Sequence, residues 1–332
     1  MATDRHFSID LFRGLAILLM VFGNTSLAFK EGGFWATHAE DYGFTAGDLV
    51  APMFIFAIAM TYKMSFEKGI EREGRLKTYV KFIRRYTGLI GIGFLFHPVV
   101  PVSEKGILFS WGVLAAIGLA GLLVLPFIRL SRWLRLLVCL LVLVGYHLVL
   151  NASIEMPQGL MSVGEMNWHD GHGGFIGGVG WFTMLLLSTV LLDDARTQSY
   201  GKVWLTGLLT LLAGLALHWA WYQHDLGNAG ISKERVTIAY VLVGVGGSAI
   251  LFAILHWLAD VKKWLTKSAL LVPFARNPFF IFVIHPFFIL AFYLALPKDS
   301  GDLVVGLASI ANTFLLWRLA KWMDSKRYYV NF

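Results

Sequence analysis

Three side chains with complementary chemistry fall close together in the N-terminal part of the chain: Asn24, His38 and Asp48. An imidazole, with an unperturbed pKa of roughly 6.5, takes up at neutral pH the proton that an attacking amine must lose. An asparagine amide donates to an oxyanion as it forms. A carboxylate fixes the tautomer of the imidazole and stabilises its cation. Together the three suit acyl transfer to an amine or hydroxyl. Each also has an ordinary structural reading: Asp48 as a helix cap, Asn24 as an interhelical hydrogen bond, His38 as a solvated loop histidine.

The elements that must position them follow from hydropathy. Of 332 residues, 57% are hydrophobic and 15% charged, with 12 Trp and 26 Phe, and the mean hydropathy is +0.65. That is too apolar for a soluble domain of this size. A bilayer core roughly 30 Å thick needs about 20 apolar residues per helix. Ten segments qualify: 11–29, 47–65, 79–100, 107–128, 133–151, 174–192, 202–222, 236–258, 277–296 and 302–323. A backbone in lipid must satisfy its own hydrogen bonds, and these runs are too long and too unbroken for barrel strands. The expected fold is therefore all-α: a polytopic membrane protein of about ten transmembrane helices, forming a single domain over 1–332. The glycine clusters Gly177-Gly178-x-Gly180 and Gly244-x-Gly246-Gly247 read as close helix packing. No cleavable signal peptide is expected.

Charge sets the orientation. With the N-terminus inside, 22 of the 28 Lys and Arg lie in inner segments and five in outer ones, with Arg276 at a helix mouth. Both termini are expected to be cytoplasmic. Asn24, His38 and Asp48 then gather on the extracytoplasmic side, late in the first helix, in the following loop and at the mouth of the second helix. The net charge of +7 reflects this inner bias and argues for no nucleic-acid partner. The outer loops are acidic, with Glu31, Glu40, Asp41, Glu165, Asp170 and Glu234 among them. They are either ordinary solvated charge or a vestibule for a cationic acceptor such as an amino sugar. The outer loop 152–173 is long for a passive connector. Cys139, alone, forms no intrachain disulfide. His169, Asp170 and His172 fall short of a four-ligand set, so no metal is expected. No phosphate loop or dinucleotide fingerprint is present.

The pattern Arg5-x-x-Ser8-Ile9-Asp10-x-Phe12-Arg13-Gly14-x-Ala16-Ile17, then Met20-Val21-x-x-Asn24, then His38-Ala39-x-x-x-Gly43-x-Thr45-x-x-Asp48-Leu49-Val50-x-Pro52, resembles the heparan-alpha-glucosaminide N-acetyltransferase family. Gly112-Val113-Leu114-x-x-Ile117-Gly118 and Asn277-Pro278-x-x-Ile281-x-x-x-His285-Pro286 resemble later helices of that family and of the wider transmembrane acyltransferase superfamily. The resemblance implies an acyltransferase that moves acetyl from cytosolic acetyl-CoA, across the membrane, to the amino group of a terminal glucosamine. It implies that His38 is the active histidine, Asn24 the catalytic asparagine and Asp48 its aspartate. The chain is expected to be a bacterial-type member without the large luminal domain, in the bacterial inner (plasma) membrane.

Such a donor threads its pantetheine arm in from the cytoplasm and leaves its phosphates near Arg13, Arg84, Arg85 or Arg276, since arginine binds phosphate bidentately. Arg276 and Asn277 stand in a broken, apolar approach to the ninth helix, and irregular backbone at membrane depth belongs beside a cavity. His285, kinked by Pro286, would be a polar wall to the donor tunnel. Expected partners are acetyl-CoA as co-substrate, an amino-sugar or glycan acceptor and membrane lipid, with a homo-oligomer left open. The alternative is a non-catalytic transporter or exporter of a small solute. It would use the same helices but gives no purpose to an amide, imidazole and carboxylate on one side.

Overall fold

Apolar runs of this length close their hydrogen bonds locally. The computed structural model is accordingly helical through most of the residues it describes, 7–29, 38–96, 111–156, 159–197, 199–224, 226–265 and 270–330. In chain order these are α1 (Phe7–Leu27), a 3-10 turn (Gly47–Leu49) entering α2 (Val50–Glu73), α3 (Arg75–Phe96), α4 (Val113–Val124) and α5 (Arg132–Asn151). A short hairpin follows, β1 (Ser153–Met156) and β2 (Gly159–Ser162), then α6 (Val163–Asp170), α7 (Gly174–Arg196) and α8 (Tyr200–His224). Next come α9 (Ile238–His256), continued by a π-helical turn (Trp257–Val261), then α10 (Leu271–Arg276), α11 (Pro278–Ala295) and α12 (Asp302–Ser325).

Eight helices among the described residues, of 18 to 27 residues each, are long and apolar enough to cross a membrane. The chain is an all-α polytopic membrane protein. Each of the ten sequence-derived segments falls on a helix. Two of them do not meet the spanning criterion. The first half of α3 carries Arg75, Lys77, Lys81, Arg84 and Arg85, and α4 has 12 residues. The stretch read as the long loop 152–173 instead folds into the β1–β2 hairpin and α6. A capping box starts α6: the Ser162 hydroxyl accepts the Glu165 N–H, and the Glu165 carboxylate accepts the Ser162 N–H at 2.7 Å. The break before the ninth segment is its own short helix, α10, and Pro278 opens α11 where a missing N–H costs nothing.

Contacts divide the chain into two compact units. The first comprises Met1–His38, Thr45–Ala57 and Leu251–Phe332. Its core joins Ile17, Met20 and Val21 of α1 to Phe274, Ile281, Leu316 and Ala320. Phe12 packs against Phe56 and edge-on against Phe252, with centroids 5.7 and 5.9 Å away. Gly14 allows α1 to touch the backbone of α10, since a Cβ there would sit 2.1 Å from the Leu271 carbonyl oxygen. The Asp260 carboxylate, from the π-helical turn, accepts the Phe7 and Ser8 N–H groups and so caps α1.

The second unit comprises Ala39–Phe44 and Ile58–Ile250. The glycine clusters here permit close approach, as small residues do in membrane helices. A Cβ on Gly246 would meet the Leu211 nitrogen at 2.4 Å, and one on Gly178 would meet the Leu119 side chain at 2.3 Å. Arg132 grips Asp194 through two bonds of 2.7 Å. Arg135, fully buried, pairs with Asp193 and donates to the Thr189 hydroxyl at 2.7 Å. Lys63 reaches Asp193 as well, at 3.2 Å. These basic residues, counted from sequence as inner-segment charge, are partners of an acidic pair at the end of α7.

Candidate active site

Asp48 sits in the 3-10 turn ahead of α2, and its side chain is 1% exposed. A buried carboxylate needs donors, and it has them. One oxygen takes the Thr45 backbone N–H at 2.9 Å and the Thr45 hydroxyl at 3.0 Å. The other lies 2.7 Å from His38 Nδ1. A carboxylate accepts only, so the proton of this bond resides on Nδ1 and the lone pair of the neutral ring resides on Nε2. The His38 side chain is 30% exposed, and Nε2 has no protein partner among the described residues. The arrangement is a part-exposed imidazole whose tautomer the carboxylate sets, a geometry that suits a ring able to accept a proton.

Asn24 lies one turn from the end of α1. Its Nδ2 is 3.0 Å from Nε2 of His285, a buried ring on α11. His285 Nδ1 donates to the Phe282 carbonyl at 2.5 Å. Next to Asn24, the Thr25 hydroxyl donates to the Val21 carbonyl and accepts from Asn312 of α12 at 2.8 Å. The structure thus joins His38 to Asp48 and Asn24 to His285, two pairs in the same unit.

The expected donor-binding residues are spread more widely. Arg13 is half-buried in α1 and engaged in a polar interaction. Arg276 ends α10 with its side chain exposed. Asn277, fully buried, uses its amide on the C-terminal tail: Nδ2 donates to the Tyr328 carbonyl and Oδ1 accepts the Val330 N–H, each at 2.9 Å. Arg84 is exposed on α3 in the second unit, as is its neighbour Arg85. His97, which like His285 precedes a proline in the sequence, falls outside the described residues.

Several contributors have no role assigned to them from the sequence, although Thr45 stands in the motif Gly43-x-Thr45-x-x-Asp48. Thr45, three residues before Asp48, supplies two of the donors that fix the carboxylate. Residues 39–44, which come after His38, are fastened within the second unit. Arg235 grips Asp41 through bonds of 2.8 and 2.7 Å, and Tyr42 stacks on Trp221 at 4.3 Å beneath the Arg235 guanidinium. The Glu40 carbonyl accepts the Trp168 indole N–H at 3.2 Å, and the Ile231 carbonyl accepts the Gly43 N–H at 2.8 Å. No local pattern announces an Asp–Arg pair separated by 194 residues. Beside Arg235, burial alone would raise the Glu234 carboxyl. The Lys233 ammonium at 3.0 Å, the nearby His172 ring and the His172 backbone N–H outweigh it and hold the group at about 2. Asp41 and Glu234, among the acidic residues assigned to outer loops from the sequence, are therefore held in ion pairs.

Comparison with known proteins adds an independent line. Residues 5–198 match the family described as heparan-alpha-glucosaminide N-acetyltransferase, catalytic. Similar curated proteins include heparan-alpha-glucosaminide N-acetyltransferase from Mus musculus, 36% identical over 89 residues, which is 26% of this chain and 13% of that protein. The Homo sapiens protein of the same name is 38% identical over 66 residues, 20% of this chain and 9% of the relative. The matched stretch is thus a small part of either relative. The family match itself spans more than half of the chain, from before α1 to just past the end of α7, and includes Asn24, His38, Asp48 and Arg84. This chain belongs to the heparan-alpha-glucosaminide N-acetyltransferase catalytic family.

Proposed function

We propose that the protein is a membrane acetyltransferase that takes acetyl from acetyl-CoA entering from the cytoplasm and delivers it to the amino group of an extracytoplasmic sugar, in a bacterial inner membrane. The observation that carries this reading is the His38–Asp48 pair, with Nδ1 bound to the carboxylate at 2.7 Å and Nε2 left for a substrate. His38 Nε2 removes a proton from the acceptor nitrogen as the nitrogen lone pair bonds to the thioester carbonyl carbon. The carbonyl electrons move to oxygen, and an Asn24 N–H donates to that oxyanion. Collapse expels the CoA thiolate, which takes the proton from the His38 imidazolium. Asp48 holds the ring throughout.

The donor would enter along α1. Arg13 and Arg276 take its phosphates. Asn277 shapes the α10–α11 break, and His285 forms a polar wall. Ser26 Oγ, Ser309 Oγ and Asn312 Oδ1 are buried on α1 and α12 with no hydrogen-bond partner among the described residues. Each such atom costs about 1–3 kcal/mol, and the amides of a pantetheine arm are groups that would satisfy them. Membrane lipid surrounds the helices, and a homo-oligomer is compatible with this scheme. Direct transfer in a ternary complex is favoured because both substrates reach one Nε2.

The test is acetyl transfer from acetyl-CoA to glucosamine by purified protein. His38→Ala is expected to abolish it. Transfer surviving that substitution would remove the site. A labelled acetyl group trapped on wild-type protein without acceptor, and absent from His38→Ala, would replace direct transfer with an acetyl-histidine route.

A further inference from the structure

Pro286 interrupts the α11 hydrogen-bond ladder. A residue at 286 would ordinarily donate its N–H to the carbonyl four residues back, which is Phe282. Proline has no N–H, so that carbonyl is left unclaimed in an apolar helix, where an unmet acceptor is costly. His285 Nδ1 fills the gap at 2.5 Å. A carbonyl only accepts, so Nδ1 must carry the proton, and in the neutral ring Nε2 presents a lone pair. At 3.0 Å from that lone pair stands Asn24 Nδ2. The reversed amide would set Oδ1 against the same lone pair, two acceptors facing each other. The amide is thereby locked with Nδ2 toward His285.

We infer that Pro286 and His285 form a positioning relay for Asn24: the proline vacates a carbonyl, the carbonyl sets the ring tautomer, and the tautomer sets which way the Asn24 amide faces. One N–H of Nδ2 is consumed by His285. The second N–H has no protein partner among the described residues, and it is the donor left for an oxyanion. This rests on the acetyltransferase reading and assigns His285 a task distinct from lining the donor path. His285 touches no reacting atom in this scheme. It acts through Asn24.

Two isosteres separate the halves of the relay. A glutamine at 285 places its carbonyl oxygen near the position of Nε2 and still accepts from Asn24. An asparagine there places its amide nitrogen near Nδ1, keeps the bond to Phe282 and loses the acceptor. Full-length protein in lipid nanodiscs, labelled with ¹⁵N-histidine, reports the ring directly, with the His285 signals identified by their loss in His285→Gln. The expected signature is a protonated Nδ1 and a bare Nε2. In steady-state kinetics His285→Asn and Pro286→Ala are expected to lower kcat by about 10- to 100-fold, the range for an outer partner that orients an active group. Any rise in KM for acetyl-CoA, from the wall His285 gives the donor path, should be smaller than the loss in kcat, because a positioning defect acts on the transition state and not on uniform binding. His285→Gln should keep most of kcat. A proton on Nε2 in the wild type would overturn the relay, as would His285→Asn matching the wild type while His285→Gln fails. If the wild type transfers no acetyl group at all, the functional reading falls, and the ring tautomer still decides the relay.

Discussion

Replacing Asp48 by asparagine removes one charge and almost no volume, and the hydrogen bonds around it dictate the outcome. The Thr45 backbone N–H, 2.9 Å from one Asp48 oxygen, can only donate. The new amide must turn its oxygen to that N–H, which leaves its NH₂ facing His38 Nδ1 across the present 2.7 Å contact. A donor there forces Nδ1 to accept, the ring proton moves to Nε2, and the base loses the lone pair that faces substrate. General-base catalysis contributes about 10²- to 10⁴-fold, so acetyl transfer should fall by that factor, about 3 to 5 kcal/mol in barrier. The assay is steady-state acetylation of glucosamine by protein in nanodiscs, compared with His38→Ala. The two variants should be similarly slow, and the double variant should be little slower than either, because residues acting as one unit are not additive. Retention of the wild-type rate within about threefold in Asp48→Asn would refute the tautomer argument.

Gly14→Ala should lower the thermal midpoint sharply, because the added Cβ would meet the Leu271 carbonyl oxygen at 2.1 Å and backbone cannot step aside; overpacking of this kind costs about 1–3 kcal/mol or more. Arg135→Ala strands Asp193 beside Lys63 alone, and should destabilise by about 3 kcal/mol, the lower end for a broken buried pair; the double change Arg135→Met with Asp193→Leu should recover part of it in the same thermal melt. Glu234, depressed to about 2 by Lys233 and His172, adds stability that is present above its ordinary carboxylate value and lost as pH falls through about 2. Acid titration of the thermal midpoint should therefore show a decline in that window that is reduced in Lys233→Met, and identical acid limbs would contradict it.

Legibility in the sequence varies with the range of the interaction. Membrane helices announce themselves because length and hydropathy are local: each of the ten segments falls on a helix among the described residues, and eight of those helices are long and apolar enough to cross a membrane. Their ends are less readable. The α2–α3 junction depends on Gly74 at φ +84°, and the charged turns on either side continue as helix past the apolar run. The hairpin and α6 inside 153–170 depend on a capping box and cross-strand pairing, signals diluted by polar composition. His38 and Asp48 are ten residues apart, so chemistry and spacing suggest them together. Asn24 and His285 are 261 apart, and His285 lies beyond the matched residues 5–198. No periodicity connects them. Asp193 and Asp194 read as charges near a helix end, and only the fold reveals Arg135, Arg132 and Lys63 around them.

The Asp260 cap has a consequence for biogenesis. Helix α1, which carries Asp10, Arg13 and Asn24, finds the acceptor for its N-terminal N–H groups 252 and 253 residues downstream. Its packing surfaces, Phe274, Ile281, Leu316 and Ala320, are translated later still. Bringing such distant stretches together is slow, since loop closure must precede the contacts that reward it. Until the stretch from Asp260 to Ala320 has been made, this charged helix is without the groups that cap and cover it, an interval in which a neighbouring nascent helix or an insertase would shelter it.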